Sequence, residues 1–207
     1  MNVELLTSPA SLSEMEENAA LAALTCHDNA DKEHVPAEVL MRIIKLRHES
    51  VLEHITLTYS IKGITRALLQ EVARHRHISL SVESTRHTLR KKLEDDDFIF
   101  KLLNEEMMLG FPRRLEDAYY REALRTPAYV MKCCPDITDD ELKYYLPEFW
   151  PTSLVLTSNI RELRHILNLR TAPAALREFR ELARAMFKAV PDEFKYLLED
   201  CIHEEAK

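Results

Sequence analysis

Residues 54–76 read HITLTYSIKGITRALLQEVARHR, and within them the hydrophobic period changes from two to that of a helix. Ile55, Leu57, Tyr59 and Ile61 alternate with Thr56, Thr58 and Ser60, the period and β-branched composition of a half-buried strand. Gly63 is expected to end it. From Ile64 to about Arg76, the apolar Ile64, Ala67, Leu68 and Val72 fall at helical spacing, with Arg66, Gln70 and Arg74 recurring on another face. Strand and helix thus alternate over a short distance, as in an α+β fold.

The flanking sequence is mostly helical. Ser11 or Ser13, each followed three residues later by an acidic residue, offers a capping signal for a helix through AALAALTC. Pro36 opens another helix, in which Val39, Leu40, Ile43, Ile44 and Leu46 keep helical spacing and which should fade near Glu49 and Ser50. Two helices are expected over Phe98 to Leu109 and Arg113 to Met131, parted by Gly110 and Pro112. Thr138 and Glu141 form a capping box for a helix that Pro147 stops. Ser153 to Thr157 holds a short apolar run read as a second strand, and Asn159 can cap a helix reaching about Leu169. Helices from Pro173 to Ala189 and after Pro191 complete the chain. The expected fold is helix-rich α+β, a small sheet flanked by several helices. No repeat or Gly/Pro/Ser-rich linker divides it, so residues 1–207 are expected to form a single domain, or one with an appended helical subdomain.

Composition narrows the function. The formal net charge of −7 argues against a general nucleic-acid or anionic-membrane binder, which would carry a basic excess. With only two glycines, Gly63 and Gly110, neither GxGxxG nor GxxxxGK[ST] can be written, so any bound phosphate must be held by arginine, lysine, histidine or helix N-termini. Cys26, Cys133, Cys134 and Cys201 include no CxxC pair and are read as reduced thiols of a cytoplasmic protein. The opening MNVELLTSPASLSEMEE has no sustained apolar stretch, so neither a secretory leader nor a membrane segment is expected.

Two clusters can carry chemistry. Residues 74–92, RHRHISLSVESTRHTLRKK, concentrate cationic groups in an acidic chain. Such a run can be a solvated helix end, but Arg74, His75 and Arg76 in succession, with Ser79, Ser81 and Ser84 after them, suit phosphate and ribose. Residues 159–170, NIRELRHILNLR, put Arg161, His165 and Asn168 on one helical face and Ile160, Leu163, Ile166 and Leu167 on the other. Alone, this is an amphipathic helix. His75 and His77 form an HxH pair with no supporting ligand nearby, so no metal centre is expected. Ser84 lacks a GxSxG elbow and a base partner, which favours a hydrogen-bonding role over a nucleophilic one.

Together these blocks resemble the flavin-dependent thymidylate synthases. RHR followed by seven residues, Ser84 and then Arg86 matches that family's signature. HESVLEH at 48–54 is similar to its HxSxxEH element, and Asn159, Arg161, His165 and Arg170 follow its N-x-R-x3-H-x4-R spacing, with Leu146 and Pro147 where its LP pair lies. The resemblance spans about residues 36–200 in one order.

It implies a homotetramer with active sites built from several subunits and FAD held without a Rossmann fingerprint. FAD would be bound by Ser50, Arg74, His75, Arg76, Asn159, Arg161 and His165. The substrate dUMP would be bound by Glu71, Arg74, Glu83, Ser84, Arg86, Lys143 and Arg170, with Arg170 stabilising negative charge on the uracil. The implied reaction moves a methylene carbon from 5,10-methylenetetrahydrofolate to dUMP, with reduced FAD giving hydride and NADPH regenerating it. No cysteine nucleophile is needed, and all four cysteines lie outside the motifs. The chain departs from the family pattern at Glu71, where Gln is usual, at Lys143 for Arg, at Ser81 and Val82 for Asn and Glu, and at His87 for Tyr. A nucleic-acid module using residues 74–92 and a helical interaction protein that keeps the fold without the activity are the competing readings.

Overall fold

The computed structural model describes residues 1–103 and 117–204. Its centre is a four-stranded antiparallel sheet of β1 (Asn2–Leu5), β2 (Thr56–Thr65), β3 (Ile78–Val82) and β4 (Pro151–Asn159), in the order β1-β2-β4-β3. The alternation read at 55–61 becomes a buried row and an outer row. Leu57, Tyr59 and Ile61 face inward with Leu154 and Leu156, and each such side chain contributes roughly 1.5–3 kcal/mol by leaving water. Thr58 and Thr157 meet on the other face, their hydroxyls 2.9 Å apart.

Helices α1 (Pro9–Thr25), α2 (Pro36–Lys45) and α3 (Arg66–Val72) belong to the first half of the chain. With α8 (Ile160–Arg170) and α9 (Arg177–Lys188), they contribute to the main core on the sheet's inner face. A second hydrophobic cluster gathers Leu89, Leu93, Leu102, Leu124, Leu142 and Trp150. Its helices are α4 (Thr85–Leu93), α5 (Asp96–Leu103), α6 (Asp117–Cys133) and α7 (Asp139–Leu142).

Several boundaries differ from the sequence reading. Gly63 does not end β2: it adopts φ 74°, which Cβ-bearing residues avoid, and provides a bulge through which the strand continues to Thr65. α1 is capped by Ser8, whose hydroxyl accepts from the Ser11 N–H, rather than by Ser11 or Ser13. α2 ends at Lys45, and a 3₁₀ turn (Glu49–His54) intervenes before β2. α7 stops at Leu142 and relaxes into a 3₁₀ turn (Lys143–Tyr145) ahead of Pro147. The last expected helix is instead a pair of 3₁₀ turns, Asp192–Leu197 and Glu199–Cys201. The expected break at Gly110 and Pro112 lies outside the described residues.

Buried polar ties fix the elements that carry the site. Thr65 caps α3 through the Leu68 N–H, while its own N–H and hydroxyl donate to the Glu178 carboxylate of α9 at 2.8 and 2.6 Å. Burial raises the Glu178 pKa, opposed by those two hydrogen bonds.

Gly63→Ala is expected to lower the unfolding free energy by about 1 kcal/mol or more. Urea denaturation checks this, and an unchanged midpoint would contradict the strain assigned to that φ.

Candidate functional site

The helix read from Asn159 forms as expected, and it organises the site. Asn159 accepts the Glu162 N–H at 2.8 Å, closing the first turn of α8 where β4 ends. The apolar Ile160, Leu163, Ile166 and Leu167 are buried, which turns Arg161, His165 and Asn168 outward. Those three, with Asn159, His77 and Glu53, help line a cleft of about 640 Å³. Arg161 forms an ion pair with Glu53 from the 3₁₀ turn that also carries the exposed Ser50.

Behind that cleft, the RHR segment meets the far end of α8. The chain leaves α3 in a turn that brings the His75 N–H to the Val72 carbonyl and buries the imidazole, while Arg74 and Arg76 remain exposed. His75 Nδ1 lies 3.1 Å from Glu162 Oε1, and its Nε2 accepts from Arg170 Nε at 3.1 Å. Because the guanidinium can only donate, Nε2 bears the lone pair and Nδ1–H donates to Glu162. Burial holds the imidazole below its ordinary pKa, helped by the Arg170 charge and opposed by the bond to Glu162. Arg170 also donates to Glu71 at 3.2 Å, and Glu71 accepts from Arg74 at 3.2 Å. The Phe179 ring lies 4.6 Å from the Arg170 guanidinium carbon, a cation–π contact.

The remaining sequence candidates gather elsewhere. Ser84 begins α4 with its hydroxyl free of any capping bond. Glu83 accepts from Thr88 at 2.7 Å and pairs with Lys92, Arg86 pairs with Asp140 at 2.8 Å, and Lys143 lies over the Tyr144 ring. Among the described residues, the polar contacts of this second group do not join those of Glu71, Arg74, His75 and Arg170.

Sequence reasoning missed Glu53, Glu162, Arg164 and Phe179. Arg164 had a signal: it stands four residues after Ile160 and three before Leu167, where an apolar residue belongs. The structure buries it and satisfies it with Asp200, Glu49 and the Leu197 carbonyl, so it binds α8 to the Ser50-bearing turn and to the C-terminal segment. Burial opposes its charge, but the bonds to Asp200 and Glu49 leave its pKa above the ordinary arginine value.

The fold and site define an α+β protein with a cleft of guanidinium, imidazole, amide and carboxylate groups, built without a glycine loop. The chain belongs to the Thymidylate synthase complementing protein family, whose profile matches residues 9–194. It is 37% identical over 192 residues to the flavin-dependent thymidylate synthase of Campylobacter jejuni strain RM1221, covering 89% of this chain and 91% of the relative. With the Helicobacter pylori J99 flavin-dependent thymidylate synthase it shares 40% over 161 residues, 75% of this chain and 77% of that one. Thymidylate Synthase X from Helicobacter pylori, crystallised with FAD and dUMP, superposes with a TM-score of 0.83 at 31% identity, covering 99% of this chain and 100% of that one.

Two outcomes follow from this geometry. Arg164→Ala removes the buried cation from Glu49 and Asp200, leaving them only the exposed Arg47 at 3.6 and 3.9 Å, and is expected to cost about 3 kcal/mol in urea unfolding; a loss below about 1 kcal/mol would contradict the tie. For His75, a pKa lowered by folding means that stability is full above about pH 6.5 and falls as pH drops toward the folded value. Melting temperatures between pH 7.5 and 5 should therefore fall more steeply in the wild type than in His75→Gln, and parallel curves would contradict this.

Proposed function

We propose that this chain is a flavin-dependent thymidylate synthase that converts dUMP to dTMP, with 5,10-methylenetetrahydrofolate as carbon donor and NADPH as reductant. The observation that carries the reading is the convergence of Arg74, His75 and Arg170, two motifs distant in sequence, on one cluster joined by Glu71 and Glu162. The donor set fits the ligands: cationic and amide groups for phosphate and ribose, and a held guanidinium for a uracil edge.

Methylation at uracil C5 requires electron density at that carbon, so negative charge develops on the pyrimidine oxygens and N3. Arg170 would stabilise it, since His75 and Glu71 take its Nε and one terminal nitrogen and leave the other terminal nitrogen for the ring. The carbon arrives at the formaldehyde level, so two electrons are needed to make the methyl group, and the C5 proton leaves as the new bond is established. Bound FAD, reduced by NADPH, would supply that hydride. Arg76, Asn159, Arg161 and His165 would hold it, with Ser50 on the adjoining turn. The scheme requires no metal, because a guanidinium stabilises the developing charge.

Glu83, Ser84, Arg86 and Lys143 would complete the dUMP site, with the phosphate at the N-terminus of the nine-residue α4. Among the described residues their polar contacts do not join the Arg170 network, which suits an active site shared between subunits of a homotetramer. The four free cysteines favour a cytoplasmic setting, and residues 1–207 are read as a single catalytic domain.

Tritium release from C5-labelled dUMP should require FAD, NADPH and methylenetetrahydrofolate and yield dTMP. Absence of release from flavin-loaded protein would overturn the proposal. Arg170→Ala should lower release by roughly a hundredfold or more while keeping most of the flavin, and near-normal turnover would remove Arg170 from its role. Arg76→Ala should purify depleted of flavin, as read by visible absorbance.

A further inference from the structure

We propose that Glu162 and His75 form a positioning relay for Arg170, in which a carboxylate fixes the imidazole tautomer and the imidazole fixes the plane of the guanidinium. This rests on the synthase reading above and assigns Glu162 a part in it. Glu162 stands in the first turn of α8 and Arg170 in its last, and His75, from a different segment, bridges them.

Three features distinguish this arrangement from an incidental hydrogen bond. All three partners are shielded: the side chains of His75, Glu162 and Arg170 are 5, 11 and 14% exposed. Each partner's chemistry leaves a single consistent pattern. Arginine cannot accept, so His75 must offer a lone pair at Nε2, and its only proton then lies on Nδ1, facing the carboxylate. The carboxylate itself sits in the first turn of α8, with its own backbone N–H capped by Asn159, so its backbone position is fixed. Third, the remaining surroundings fix the ring plane. His165 packs edge-on at 5.9 Å, and Phe179 packs against His75 at 5.7 Å while lying under the Arg170 guanidinium.

Glu71 also faces Arg170 and takes a terminal nitrogen. With Nε on His75 and that nitrogen on Glu71, guanidinium rotation is blocked, and its free edge points one way. A protonated His75 would turn Nε2–H toward Arg170 Nε–H, setting donor against donor and cation against cation. His75 therefore serves the reaction through Arg170, as a positioning residue, and so does Glu162.

The test uses full-length protein with FAD, carrying ring-¹⁵N histidine, with His75 assigned among the nine histidines by comparison with His75→Gln. Long-range ¹H–¹⁵N spectra at pH 7 should show His75 as the neutral Nδ1–H tautomer. Glu162→Gln removes the charge but keeps the side-chain size. It should mix the tautomers and lower kcat for tritium release by roughly tenfold or more, leaving flavin content and dUMP affinity within about twofold. A wild-type His75 that is Nε2-protonated or charged at pH 7 overturns the relay, as does a Glu162→Gln enzyme with altered tautomer and unchanged kcat. If that variant fails to fold, the wild-type tautomer decides. Should the wild type release no tritium, the synthase reading falls while the spectra still decide the relay.

Discussion

An imidazole taken out of water must find a partner for each ring nitrogen or cost a few kcal/mol, and at His75 that demand shapes the whole site. One nitrogen is met by Glu162 and the other by Arg170, both on α8, although His75 itself follows α3. The requirement pulls the turn after α3 onto α8 and brings Arg74 and Glu71 beside Arg170. The Arg170 guanidinium is affected in two ways. Its orientation is set by the fold, and its charge is partly balanced by Glu71, so that two arginines can share a small volume.

Two further buried groups hold the parts that meet there. Glu178 reaches from α9 to the start of α3 at Thr65, and Arg164 reaches from α8 to the turn at Glu49 and to Asp200. Each is an ionisable side chain among apolar neighbours, costly to bury alone and tolerable because both Glu178 oxygens accept a hydrogen bond and every Arg164 side-chain nitrogen donates one. These ties cross between elements that the sheet core alone would leave free to slide. They therefore act on the relative position of α3, α8 and the Ser50 turn, and the last two of these line the cleft.

Legibility in the sequence followed how local each signal was. The alternation at 55–61 and the helical period after Asn159 depend on near neighbours, and both elements form as read, with Asn159 capping its helix. β3, ISLSV, was read only for its charge setting, although its residues pair with β4 from Leu154 to Ser158. β1 offers four residues, too few for a period to stand out. Gly63 was legible as a special backbone position but not as a bulge, because that depends on β4 across the ladder. The motif residues were legible as a set, and their grouping was not. Nothing near His75 in sequence tells that Glu162 and Arg170 satisfy it, or that Arg86 pairs with Asp140 in the second cluster. Arg164, a cation on an apolar helical stripe, was the one long-range tie with a local mark.

The central claim is that a guanidinium, held on one side by His75 and Glu71, presents its open edge to a uracil. A crystal structure of the protein with FAD and dUMP tests it most directly. The account predicts Arg170 within hydrogen-bond distance of the uracil edge, its Nε still on His75 and His75 still on Glu162. A uracil bound away from Arg170, or an Arg170 that leaves His75 when the nucleotide binds, would contradict it.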